Sequence, residues 1–210
     1  MWEIVGMIQN KKIYFIIGSI ASGKSSVVKI LKEKGFLTIE SDKIVHLLYE
    51  EKEVQEKLAS CFGKEIIKDN KIDRKKLGDI VYNDELKKKK LECEVHPLVM
   101  DRVYEIIKSS NKDIIFIELP LYYKVEKIIQ KHIANYKIIF INVKEEIQIK
   151  RLIKRNDISR AKAKHLMYNI KNIMSFEKSI DYIIENNYDF VNLKKQVNEI
   201  LKMERLNEDS

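Results

Sequence analysis

Eight consecutive residues, Gly18-Ser19-Ile20-Ala21-Ser22-Gly23-Lys24-Ser25, constrain this chain more than any other feature of it. They fit the pattern Gly-x-x-x-x-Gly-Lys-[Ser/Thr] and follow the uninterrupted apolar run Ile13-Tyr14-Phe15-Ile16-Ile17. A run without polar alternation suits a strand buried on both faces of a parallel sheet. Residues 25–34 then carry a helical period with Val28 and Leu31 on one side, and Gly35 falls where a helix C-cap belongs. A second strand over residues 36–39 follows at once, so the chain opens as a βαβ unit. In that setting the loop turns its backbone N–H groups inward, and the start of the helix adds a dipole that favours anions. Lys24 is placed to neutralise β and γ phosphate charge and the Ser25 hydroxyl to coordinate Mg²⁺, which makes a purine nucleoside triphosphate the expected ligand.

Beyond residue 40 the pattern changes. Residues 41–110 offer no comparable apolar strand; they are charged and helically periodic, with turns expected near Gly63 and Asp69-Asn70. Further strands are expected at 114–117, 137–143 and 182–186, the last preceding an amphipathic helix over about 193–203. The sum is a parallel α/β sheet with a helical insertion after its second strand, and the polar end 207–210 reads as frayed. With 45% hydrophobic and 34% charged residues the 210-residue chain can bury a core and is not of the disordered class.

Other classes fall away on specific grounds. No apolar stretch approaches the ~18 residues of a membrane span, so no membrane partner is expected. The start, residues 1–8, contains Glu3 and precedes Lys11 and Lys12, the reverse of a secretion signal. Two cysteines, Cys61 and Cys93, are too few for a disulfide scaffold or a four-ligand zinc site and suit reduced thiols in the cytoplasm. Lys and Arg number 40 against 32 Asp and Glu, a balance of +8, partly in runs such as Lys87-Lys88-Lys89-Lys90. Solvated helices explain that excess more simply than nucleic acid, since no basic motif is studded with aromatics.

Ligands of open α/β sheets gather at the carboxyl ends of the strands, which directs attention to two acids and two arginines. Asp42, just after the second strand and opening a helix over 43–49, is placed to accept a proton from an attacking hydroxyl or to orient it; Glu118, after the third strand, resembles an acid that holds a metal's water shell. Each would equally serve as a helix cap or first-turn acid. Arg151 and Arg155 lie four apart on the helix after the strand at 137–143, so one face can clamp a polyphosphate. The residues after them, 155–159, turn into a further helix, as the attachment of a water-excluding lid would.

Taken in order, these elements resemble the dephospho-CoA kinase family. The resemblance runs from about residue 12 to 201 and rests on the phosphate loop, Glu40-Ser41-Asp42-Lys43, Asp73-Arg74-Lys75-Lys76-Leu77, His96-Pro97-Leu98, Glu118-Leu119-Pro120-Leu121, Arg151-Leu152-x-x-Arg155 and Asp181-Tyr182-Ile183-Ile184-Glu185-Asn186. It implies a three-layer P-loop kinase core (residues 11–44, 111–145 and 178–203), a helical CoA-binding insertion (45–110) and a small helical lid (146–177). The implied activity is transfer of the ATP γ-phosphoryl to the ribose 3′-hydroxyl of dephospho-CoA, with Mg²⁺, in a monomer or small homo-oligomer. By the same resemblance Gly18 to Ser26 hold the nucleotide, Asn186 begins the adenine-contacting loop, Lys24, Asp42, Arg151 and Arg155 are catalytic, and Arg74, His96 and Glu118 serve the acceptor side.

Several positions depart from the family pattern. Ser19 and Ala21 replace glycines of the loop, Met100 stands for an arginine, Lys124 for a glutamate and His165 for a lid arginine, with Arg102 or Lys164 as substitutes for lost cations. Two other readings use the same loop: a different small-molecule P-loop kinase, which gives no reason for the Asp73-Arg74 and His96-Pro97 elements, and a non-catalytic nucleotide-binding module, which gives none for an intact Lys24, Ser25, Asp42 and Arg155.

Overall fold

A computed structural model describes residues 8, 10–82, 84–168 and 180–206. They form two compact units, one drawn from residues 1–39 and 110–210, the other spanning Glu40–Ser109. The part of the expected lid at 169–177, the opening residues 1–7 and the polar end 207–210 lie outside the described residues.

The first unit is built on strands β1 (Lys12–Gly18), β2 (Leu37–Glu40), β5 (Ile114–Glu118), β6 (Lys137–Asn142) and β7 (Tyr182–Glu185), in the sheet order β2-β5-β1-β6-β7. β1 pairs in parallel with β5 on one side and β6 on the other, and β6 with β7. Six of the seven β1 residues are buried, which is why its sequence shows no alternation. In the sheet order the chain runs from β1 toward the β2 edge and from β5 past β1 to β6, in opposite directions, so the switch point where such sheets open a crevice lies at the carboxyl ends of the neighbouring strands β1 and β5.

Helix α1 (Lys24–Glu33) covers the sheet through Val27, Val28, Ile30 and Leu31, and the last helix, Phe190–Met203, packs on the same cluster through Leu193, Val197, Ile200 and Leu201. Both are amphipathic at the helical period, as the sequence indicated. α1 ends one residue before the expected point, at Glu33, with Phe36 N–H donating to Leu31 O across Gly35. The strand after it starts and ends one residue later than expected, at Leu37–Glu40.

One polar cluster ties three strands to the closing helix. Tyr14 Oη donates to Glu204 Oε2 at 2.8 Å, Lys137 Nζ donates to Glu204 Oε1 at 2.5 Å, and the Tyr182 hydroxyl reaches the same carboxylate. Burial works to raise the Glu204 pKa, but the bonds from Lys137 and Tyr14 outweigh it and hold the carboxyl below its ordinary 4.5. A depressed carboxylate contributes stability that is present above the unfolded-state value and is lost as pH falls through the folded-state value. Glu204→Gln is therefore expected to be less stable than the parent at pH 7, with the gap closing below about pH 4.5 in urea unfolding. A gap of constant size across that range would remove the Glu204 charge from this account.

The second unit contains α2 (Ser41–Leu48), α3 (Lys52–Phe62), a 3₁₀ turn (Lys64–Ile66), the two-residue strands β3 (Ile67–Lys68) and β4 (Lys71–Ile72), α4 (Arg74–Tyr82) and α5 (Glu85–Ser109). β3 and β4 form an antiparallel hairpin around the turn expected at Asp69-Asn70. Its tip residues, Asp69 and Asn70, have φ of 50° and 57°, the positive values that a tight two-residue hairpin demands. Strands of two residues are too short to show a period, which is why the hairpin was not legible. α5 runs through Pro97. α2 begins at Ser41 rather than at 43, so Asp42 sits inside its first turn and Glu40 takes the cap position. Among the described residues no helix is long and apolar enough to cross a membrane.

Candidate active site

The phosphate loop joins the end of β1 to α1 with Gly23 as the helix cap at φ 104°. A Cβ at Gly23 would lie 2.0 Å from Asn186 Nδ2, so both the backbone angle and the neighbour require glycine here. Lys24 is buried, and its ammonium donates to Gly18 O and Ser19 O, each at 3.0 Å. The cation thus sits within the loop. Ser26 bonds through its N–H to Gly23 O, inside the first turn of α1.

Ser25 Oγ donates to Glu118 Oε1 at 3.4 Å. Glu118 is the last residue of β5, buried to 8% exposure and in register with Ile16 of β1, one strand away from the loop. Among the described residues no three metal-ligating side chains cluster, but a hydroxyl beside a buried carboxylate fits Mg²⁺, which takes few protein oxygens and completes its shell with water and phosphate.

The outer side of the loop is held by three side chains. α7 (Glu145–Asn156), counted after α6 (Tyr122–His132), supplies Gln148, whose Nε2 donates to Ser19 Oγ at 2.9 Å and to Ile20 O at 2.5 Å. One turn on, Arg151 donates to Ser22 O at 3.2 Å and to Asn186 O at 3.0 Å, and burial lowers its pKa. Asn186, just beyond β7, is buried and donates to Ser22 O at 2.6 Å. Ile20 and Ala21 pack against a buried cluster of Ile149 and Leu152 from α7 and Ala163 from α8 (Arg160–Tyr168), which Ile153, Ile158 and Met167 also flank. Ala21 adopts φ 56°, the left-handed conformation that costs an L-residue about 1–2 kcal/mol and that these contacts must sustain.

Ser22 is fully buried within this loop, and its hydroxyl has no hydrogen-bond partner among the described residues. A buried donor without a partner carries its desolvation cost uncompensated. Ser22→Ala is accordingly expected to leave stability unchanged or raise it by about 1 kcal/mol, read by urea unfolding. A loss beyond about 1 kcal/mol would mean that the hydroxyl is satisfied in solution.

The expected site residues divide by location. Gly18 to Ser26, Lys24, Glu118, Arg151 and Asn186 come together in the first unit through the contacts above. Arg155 stands apart from Arg151: it is exposed and its Nε donates to Asn156 Oδ1 at 2.9 Å. Asp42, Arg74 and His96 belong to the second unit. Asp42 is exposed in the first turn of α2, and one turn later His46 meets the Arg74 guanidinium. Asp73 accepts from Lys76 N–H at 3.0 Å and Leu77 is buried, so the Asp73-to-Leu77 element caps and anchors α4 while leaving Arg74 exposed. His96 is half-buried on α5.

Met100 is fully buried and serves as core. Arg102 pairs with Glu51 at 2.7 Å and Glu105 at 2.9 Å on the surface. Lys124 lies 5.7 Å from the centre of the Tyr123 ring, and His165 is exposed on α8.

Gln148 belongs to none of the sequence motifs that mark the site. Its one available signal was position: it lies one turn before Leu152, on the stripe of α7 that the fold buries. A polar residue on an inward stripe must find a partner, and here the partner is the loop.

Residues 13–192 match the profile of the dephospho-CoA kinase family. The chain is 37% identical over 188 residues to the dephospho-CoA kinase of Fusobacterium nucleatum subsp. nucleatum, covering 87% of this chain and 93% of that one. It superposes on the dephospho-CoA kinase structure from Campylobacter jejuni with a TM-score of 0.61 at 31% identity, covering 92% and 97% of the two chains. TT1252 from Thermus thermophilus shares the fold, with a TM-score of 0.79 at 24% identity over 93% of this chain and 98% of that one.

Proposed function

The chain belongs to the dephospho-CoA kinase family, an ATP-dependent phosphorylation of dephospho-CoA in coenzyme A biosynthesis, and from that premise we propose which of its residues carry the transfer. The observation that carries the reading is the buried Lys24 held within a loop whose Ser25 hydroxyl reaches the Glu118 carboxylate.

Backbone N–H groups of residues 18–26 and the Lys24 ammonium bind the triphosphate of ATP. Ser25, with Glu118 behind it, would hold Mg²⁺, which supplies positive charge against the β and γ phosphates. Asp42 receives the proton from the ribose 3′-hydroxyl, in keeping with an exposed carboxylate at the start of a helix just past a sheet strand. Arg155, exposed on α7, reaches the transferring group, while Arg151, spent on Ser22 O and Asn186 O, orders the nucleotide side. Residues 45–110, with Arg74 and His96, bind dephospho-CoA; residues 146–177 form the lid that excludes water. The excess of +8 suits two polyanionic substrates, and free Cys61 and Cys93 suit a cytoplasmic setting.

The test is an acceptor panel. Purified protein with Mg²⁺ and ATP is given dephospho-CoA, AMP, shikimate or water, and ADP is followed by chromatography. ADP release that depends on dephospho-CoA is expected. Release that depends on AMP or shikimate would transfer the chain to a different kinase chemistry.

A further inference from the structure

We propose that Gln148 is a positioning residue for the phosphate loop: it holds residues 19–21 in their nucleotide-binding shape from the outer side, without touching substrate. The proposal rests on the reading of residues 18–26 as the nucleotide site.

Gln148 is buried, at 5% exposure of the residue, and its amide nitrogen donates to two groups of the loop at once, Ser19 Oγ and Ile20 O. These are the residues immediately before Ala21, which holds a positive φ of 56° in place of a glycine. A strained residue keeps its conformation only where neighbours over-determine it, and Gln148 fixes the carbonyl that precedes it. The same helix adds the apolar seat for Ile20 and Ala21 through Ile149 and Leu152, and fixes Ser22 O through Arg151 three residues on. One face of α7 therefore grips four successive loop residues. The loop's N–H groups must converge on phosphate oxygens, and a loop already set in that shape loses less freedom on binding.

The measurements are steady-state kinetics and ADP binding by calorimetry on the full chain. Gln148→Ala is expected to weaken ADP and raise KM for ATP about tenfold, as loss of two buried hydrogen bonds implies, with KM for dephospho-CoA moving less than about twofold. Gln148→Glu keeps the volume but cannot donate to Ile20 O, so it should match or exceed that loss. Ser19→Gly removes one of the two acceptors; the double variant should therefore lose less than the product of the two single losses. Unchanged ADP affinity in Gln148→Glu, or a drop in melting temperature with both KM values rising together, would overturn the proposal. Because ADP binding needs no acceptor, these outcomes stand apart from a failure of the dephospho-CoA assay.

Discussion

Lys24→Ala is expected to lower kcat/KM for ATP by at least ~10²-fold, the scale of losing one preorganised charge donor aimed at the reacting group. Lys24 as a residue is 8% exposed and its ammonium lies 3.0 Å from both Gly18 O and Ser19 O, so in the proposed reading it is in place before phosphate arrives. A triphosphate entering the loop brings its oxygens to a cation that needs little reorganisation, and alanine leaves both carbonyls and the phosphate without it. Lys24→Arg tests the geometry separately, since a planar fork does not fit a cradle shaped for a point charge. Kinetics with ATP varied at saturating dephospho-CoA measure the effect. Activity within a few-fold of the parent would mean that the loop binds phosphate through its backbone alone.

Asp42→Asn should act on turnover instead. The carboxylate is exposed in the first turn of α2, where its worth to the helix is at most about 1 kcal/mol, so the variant should fold and melt much as the parent does. As a proton acceptor, however, its removal should cost about 10²- to 10⁴-fold in kcat with ATP affinity nearly intact. That split between chemistry and binding separates a catalytic acid from a first-turn acid. Unchanged kcat would end its assigned role.

The sequence made the core of the site legible because the loop motif came with its strand and helix, each carrying its own period. The same logic placed β5, β6 and β7 within a residue or so of their observed ends, since buried parallel strands are nearly continuous apolar runs. Helix spacing alone did not separate the two arginines of α7: 151 reaches Ser22 O in the loop and Asn186 O beyond β7, while 155 is exposed to solvent and bonds its own neighbour Asn156. Gln148 and the buried placement of Asn186 under Ser22 depended on contacts between residues more than 120 and 160 positions apart, which no local pattern encodes. Ala21 shows the limit from the other side. The loss of a glycine was visible in the sequence, whereas the packing from α7 that sustains its left-handed backbone was not.

The most direct test of the central claim follows the phosphoryl group itself. ATP labelled at the γ position is incubated with the protein, Mg²⁺ and dephospho-CoA, and the labelled products are separated and digested to locate the phosphate. The account predicts label in a ribose 3′-phosphomonoester of coenzyme A, one per ADP formed. Label found in inorganic phosphate, or at another position of the acceptor, would contradict it.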